Sequence, residues 1–313
     1  MHLNQQYVKA SQIPEYYHEY EFQKRSSGGT LTFTAANKKT VMEFTVSSQE
    51  VFLNGIKFHF SYPVIYKNGS YLISQVDLSK LLHPILRPSL INRGRPFRTV
   101  ILDPGHGGND SGTINDYGFE DTYTLSLAKK LKRRLEGQGF RVALTRYSDK
   151  YLSLQERVDI ANQFKDAIFI SLHFNAGGAG HAHGIETFTL SPPGVTHYGR
   201  GLKASDFRER KGNEKDTANI ALATAVHGRV IRATKARDRG IRRARYTVLS
   251  GVKHPALLFE GGFMSHPREA LMINNDEYLN LLSQSIYEGI ILYKTATEKG
   301  MAKRSEAVRE KTP

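Results

Sequence analysis

Three apolar runs constrain this chain more than any other feature, because each is uninterrupted and each ends at a chemically capable residue. Thr99-Val-Ile-Leu runs into Asp103-Pro-Gly-His106-Gly-Gly, Ala167-Ile-Phe-Ile-Ser-Leu into His173-Phe-Asn175, and Pro255-Ala-Leu-Leu-Phe into Glu260-Gly-Gly. Strands without apolar/polar alternation are the kind buried on both faces of a parallel sheet. Helical patterns lie between them. Residues 120–136 place Leu127, Leu131 and Leu135 on one face, Ser153-Leu-Gln-Glu156 is a capping box opening a helix to about 164, and 217 to about 236 and 276–294 read as further helices. Val142-Ala-Leu-Thr and Ile185-Glu-Thr-Phe-Thr-Leu read as strands. Strands alternating with helices predict an α/β layered domain with a largely parallel twisted sheet flanked by helices.

The chain before it has a different character. Leu31-Thr-Phe-Thr and Val41-Met-Glu-Phe-Thr-Val alternate with period two, and Asn54-Gly55 and Asn68-Gly69 are hairpin turn signals. Asp77-Leu-Ser-Lys-Leu-Leu reads as a short closing helix, and residues 84–96, rich in Pro, Arg and Gly, as a linker. The expected division is a small β-rich domain with linker over 1–95, a catalytic domain over 96–295 and a charged, frayed tail over 296–313. The stretch 192–216 is expected to be a long loop or to hold a short helix.

With no cysteine, disulfides and thiolate metal sites are excluded. No run approaches the roughly 18 apolar residues of a membrane span. The residues after Met1 show no basic stretch followed by an apolar one, so the chain is either cytoplasmic or lacks its export segment. A net charge of +14 favours an anionic partner such as nucleic acid, an anionic membrane or a wall polymer, or serves solubility alone.

Ligand sites of α/β sheets lie outside the carboxyl ends of the strands, so His106, His173 and Glu260 are expected to converge. The acidic pair Glu120-Asp121 starts the helix after the first of these loops, which is expected to bring Glu120 to the same crevice. Two histidines and one carboxylate form a recurrent catalytic zinc shell, and a carboxylate outside it can serve as general base. On residues alone, the ligand is open between Glu120 and Asp121. His181-Ala-His183 looks like a metal pair but sits in a Gly-rich loop with no strand to fix it, and His197, His227, His254 and His266 are isolated.

Together these stretches resemble a known family. Thr99–Gly108, Gly118-Phe-Glu120, Ser171-Leu-His-Phe-Asn-Ala176 and Leu257–Phe263 are similar, in order, to four motifs of the zinc N-acetylmuramoyl-L-alanine amidases. Ser153-Leu-Gln-Glu-Arg157, Ala161-Asn162 and Asp238-Arg-Gly-Ile241 are weaker likenesses, and the whole covers about 98–294. The resemblance implies one Zn2+ held by His106, Glu120 and His173, with Glu260 as catalytic base. It implies cleavage of the amide between N-acetylmuramic acid and L-alanine in peptidoglycan, at an extracytoplasmic location. Nucleic acid is then not an expected partner, and a protein activator is unknown. Alternatives are a zinc deacetylase of a cell-surface sugar and a non-catalytic wall-binding protein on the same scaffold. Ser265-His266-Pro267 departs from the family's usual Ser-Asn. The N-terminal region is similar to the β domain at the N-terminus of copper amine oxidases, which implies a wall-associated or spacing module.

Two further expectations concern separability and substrate. Residues 98–294 alone should retain hydrolysis of a soluble muropeptide. The basic run from Arg229 to Arg245 should be a helix end capped by Gly240, lying on the crevice rim. Arg239, with Asn175, would then hold the anionic substrate, and Arg242, Arg243 and Arg245 would be replaceable without harm to folding.

Overall fold

A computed structural model of the chain describes residues 5–17, 22–35, 40–88, 91 and 96–309. Its centre is an eleven-stranded sheet. In chain order the strands are β1 (Phe22–Ser27), β2 (Thr30–Ala35), β3 (Val41–Thr45), β4 (Glu50–Leu53), β5 (Ile56–His59), β6 (Thr99–Pro104), β7 (Arg141–Leu144), β8 (Ala167–Asn175), β9 (Ile185–Leu190), β10 (Asp238–Ala244) and β11 (Ala256–Phe263). Across the sheet they run β7-β6-β8-β11-β9-β10-β5-β4-β3-β2-β1. The pairs from β7 to β11 are parallel, β11–β9 is antiparallel, β9–β10 and β10–β5 are parallel, and β5 to β1 is an antiparallel meander. The four long helices are α1 (Glu120–Glu136), α2 (Leu154–Asn162), α3 (Asp216–Thr234) and α4 (Asp276–Arg309). The expected α/β class is what the chain adopts.

Local chemistry accounts for much of this. Asn54 (φ 54°) with Gly55 (φ 75°), and Asn68 (φ 49°) with Gly69 (φ 72°), take the left-handed pairs that a tight two-residue hairpin turn demands. Ser153 Oγ accepts from Glu156 N while Glu156 Oε2 accepts from Ser153 N at 2.7 Å, closing the capping box that starts α2. The loop before α3 holds two short 3-10 turns, Ala204–Phe207 and Lys211–Lys215. The closing helix is not confined to 276–294: its backbone continues to Arg309, through a segment with several Ala, Glu, Lys and Arg residues, which favour helix. Residues 89–90 and 92–95 of the expected linker, and 310–313 of the expected tail, lie outside the described residues.

The sheet does not stop at the boundary expected near residue 95. Ile241 of β10 pairs with Phe58 of β5, Lys57 N donates to Asp238 Oδ2 at 2.8 Å, and Tyr62 OH donates to Gly194 O at 2.6 Å. One core is shared across the junction, with Phe33, Phe44, Val51 and Phe58 packed in the same cluster as Leu127, Leu131, Ile220, Leu257 and Ile286. The opposite face of the C-terminal half has its own core of Ile101, Phe169, Phe188, Val248 and Leu258. This shared core bears on the expectation that residues 98–294 work alone. A piece starting at residue 96 would expose β10 as an unpaired edge and strip apolar cover from α3, and such edges invite aggregation. Its melting temperature is expected to fall well below that of the full chain, with a concentration-dependent loss of solubility. A piece as stable and soluble as the full chain would show that the halves are separable.

The basic run is a second correction. α3 ends at Thr234 with Lys235 in the left-handed cap position (φ 57°), and Asp238–Ala244 is a strand inside the sheet. Gly240 (φ 91°) lies next to the register shift between Ile185 and Glu186, where a Cβ would press on the His59 ring. Arg243 is buried, donating from Nη1 to Thr189 Oγ1 at 3.1 Å and from Nη2 to Lys80 O at 2.8 Å. Arg245 donates to Pro192, Val195 and Asp206 carbonyls. Replacing Arg242, Arg243 and Arg245 together would therefore orphan buried carbonyls, which cost free energy when unpaired, so the triple change disrupts folding.

Candidate active site

The loop after β6, the C-terminal parts of β8 and β11 and the start of α1 meet at one end of the sheet. His106 follows β6, His173 and Glu260 are register neighbours on β8 and β11, and Glu120 is the first residue of α1. His106 Nε2 lies 3.1 Å and His173 Nδ1 3.0 Å from the same Glu120 Oε1, with the two imidazole rings 5.0 Å apart and nearly perpendicular. Among the described residues these three form the one group of His, Asp and Glu side chains able to share a metal ion. Asp121, the other candidate, instead accepts from Thr122 through its side chain and from Arg146 through its carbonyl.

The backbone is shaped to allow this. A Cβ on Gly105 would stand 2.2 Å from the His173 ring, and one on Gly112 would stand 2.7 Å from Glu120 Oε2. His106 itself holds φ 60°, a strained position for a non-glycine residue, and such positions concentrate at functional sites. A buried clamp enforces it. Arg157 donates to Asp103 Oδ1 (2.8 Å), Pro104 O (2.7 Å) and His106 O (2.8 Å), and Arg146 donates to Pro104 O (3.0 Å) and Gly105 O (2.8 Å). Asp110 Oδ1 lies 2.9 Å from His106 Nδ1, which orients the ring and turns Nε2 toward Glu120.

Electrostatics separate the two carboxylates. Burial of Glu120 opposes its charge, but the hydrogen bonds with His106 and His173 outweigh that and hold it far below the usual carboxylate range. Glu260 is pushed the other way: burial raises it well above the usual range, and the Glu120 and Glu186 carboxylates add to the rise. Its Oε2 is buried without a hydrogen-bond partner. It lines a cavity of about 410 Å³ with His106, His173, Arg157, Tyr151 and Tyr246. The donor set, two ring nitrogens and one ionised carboxylate, fits a zinc ion, and the orphaned Glu260 oxygen beside it fits a base outside the shell.

The raised Glu260 carboxyl has a consequence for stability. From the unfolded value near 4.3 up to its raised folded value, the folded chain binds the extra proton, so stability falls as pH rises through that window. In metal-free protein, Glu260→Gln is expected to raise the melting temperature at pH 7 by roughly a few degrees. Near pH 3, where the folded and unfolded states are both protonated, the gain should vanish. An equal shift at both pH values would refute this account.

Asn175 and Arg239, the expected substrate contacts, converge on a residue not singled out from the sequence. Asn175 Nδ2 donates to Glu186 Oε1 at 2.6 Å, and Arg239 Nε donates to Glu186 Oε2 at 3.2 Å, with the guanidinium 4.7 Å from the Phe263 ring centre. Glu186 is buried and pairs directly across from Glu260. Its acidic character inside the run Ile185–Leu190 was the available signal. His266, the residue that departs from the family's usual Asn, caps the following helix (Pro267–Ile273), accepting from Glu269 N. His183 lies against His266, with ring centres 5.0 Å apart, and His181 joins no metal-binding group among the described residues.

A family description for N-acetylmuramoyl-L-alanine amidases matches residues 100–292. The "Probable cell wall amidase LytH" of Staphylococcus epidermidis is 31% identical over 199 residues, covering 63% of this chain and 58% of that protein. The chain thus spans under two thirds of that curated relative. Among solved structures, an N-acetylmuramoyl-L-alanine amidase from Clostridium difficile 630 is 32% identical with a TM-score of 0.53, covering 64% of this chain and 97% of that one. The catalytic domain of CwlV, an amidase from Bacillus (Paenibacillus) polymyxa var. colistinus, is 28% identical with a TM-score of 0.53, covering 64% and 100%.

Proposed function

The chain belongs to the N-acetylmuramoyl-L-alanine amidase family, and from that premise we propose that it hydrolyses the amide between N-acetylmuramic acid and the L-alanine of the peptidoglycan stem. In this reading His106, Glu120 and His173 hold one zinc ion and Glu260 is the general base. The observation that carries it is the buried Glu260 Oε2 without a partner, on the strand next to His173 and in the same cavity as His106. Zinc held there would supply Lewis acidity toward a water and the amide carbonyl.

The chain's own residues supply the rest. Burial and two neighbouring carboxylates raise the proton affinity of Glu260, and its ionised form, which a bound zinc cation would favour, would take a proton from the attacking water and return it to the leaving amine nitrogen. The Asp103–Arg157 clamp keeps the His106 loop in its strained form, so the geometry is set before substrate arrives. Asn175 and Arg239, both bonded to Glu186, are the contacts assigned to the peptide in this reading. A wall substrate places the protein outside the cytoplasm. The N-terminal strands are read as a wall-associated module, in keeping with their likeness to the copper amine oxidase β domain. Among the described residues no helix is long and apolar enough to cross a membrane.

The test is product analysis on purified peptidoglycan with zinc and with chelator. Free stem peptide released only with zinc supports the reading. Acetate release would make the protein a deacetylase, and no product with zinc would make it a binding protein.

A further inference from the structure

One face of the sheet carries both the catalytic groups and a surface from the N-terminal strands. Its register places His173 beside Glu260, Glu260 opposite Glu186, Glu186 beside Gly240, and β10 beside β5 through Ile241 and Phe58. Five strands are crossed, so the row is four spacings of about 4.8 Å, or roughly 19 Å, long. At its far end lies a cleft of about 510 Å³, lined by Gln49, His59 and Ser61 of the N-terminal region, Tyr198 and Arg200 of the 192–216 loop, and Arg242. No Asp or Glu among the described residues lines it.

Arg242 connects the two ends. Its Nε lies 3.1 Å from Glu186 Oε2 and donates to Arg239 O at 3.2 Å, and its guanidinium stacks 4.0 Å from the Tyr198 ring centre. The residue is 8% exposed, yet neither Nη atom has an acceptor among the described residues. Arg200, by contrast, is held in a two-pronged pair with Asp206. Arg242 therefore has one edge engaged beside the catalytic row and one edge unengaged at the cleft. A guanidinium edge binds carboxylate in bidentate fashion.

We propose that this cleft is a subsite for the terminal carboxylate of an extended peptide whose N-terminal amide lies at the His106–Glu120–His173 cluster. The proposal rests on the amide-hydrolysis reading, which supplies a peptide joined to sugar at one end and ending in a free carboxylate at the other. An extended chain advances about 3.3–3.6 Å per residue, so about five residues span the row. The N-terminal strands then form a wall of the substrate site rather than a spacer.

Equilibrium binding to the full chain tests this, using an alanine-headed pentapeptide as free acid and as C-terminal carboxamide, and the corresponding dipeptide pair. The free-acid pentapeptide should bind about tenfold or more tighter than its amide, and the dipeptides should show no such preference. Arg242→Gln should abolish the preference. Tyr198→Leu, which leaves the Glu186 pairing in place, should reduce it even if the arginine variant folds poorly. Equal affinity of acid and amide for the unmodified chain, no binding of either, or a preference unchanged by Tyr198→Leu and Arg242→Gln would overturn the subsite. Hydrolysis is measured separately, by the product analysis above: a discriminating but inactive protein would sink the amidase reading alone, and an active but non-discriminating one the subsite alone.

Discussion

His173→Ala is expected to abolish stoichiometric zinc binding and hydrolysis together. His173 supplies one of three ligand atoms, and its Nδ1 sits 3.0 Å from the Glu120 oxygen that also faces His106. Removing even an outer partner of a ligand costs about 10–100-fold in metal affinity, so removing the ligand itself should cost more. His106→Ala should behave alike. The loss should not be a folding defect, because the ring lies partly exposed in the cavity while the strand under it is held by β6 and β11. Metal analysis with a melting curve checks this, and a His173→Ala protein that kept one tightly bound zinc at this site would refute the ligand assignment.

Glu260→Gln should separate metal binding from turnover. Glutamine preserves the shape but cannot accept the water's proton, and general-base catalysis contributes about 10²–10⁴-fold. The turnover number should fall by about that factor with zinc content unchanged. Loss of zinc in this variant would make Glu260 a ligand and require another base. Unchanged turnover would remove it from the chemistry. The gain in metal-free stability expected near neutral pH gives a third reading on the same substitution, independent of activity.

Much of the catalytic half is legible along the chain because its signals are local. An apolar run such as Ala167–Leu172 announces a buried strand, a capping box announces α2, and Asn-Gly pairs announce turns, each within a few residues. The chemically capable residues at the ends of those strands, His106, His173 and Glu260, are legible too, because strand ends in such sheets face a common crevice.

The arginine-rich segment shows why the rest was not legible. The basic run reads as a capped helix end on the crevice rim, but Arg243 is buried on a strand because Lys80 O and Thr189 Oγ1, 163 and 54 residues away, accept its hydrogens. Nothing near Arg243 in the chain reveals those acceptors. Glu186 was hidden for the same reason: its partners Asn175, Arg239 and Arg242 come from two other strands. The α/β class, the main strands and helices, and His106, His173 and Glu260 as candidates could be read along the chain, with the carboxylate ligand left open between Glu120 and Asp121. Packing alone shows that the N-terminal strands extend the same sheet and that Arg242 pairs with Glu186 and lines a cleft they help to form. Register between distant strands, and the burial of charge against distant carbonyls, are set by packing between segments and leave no periodic trace within either one.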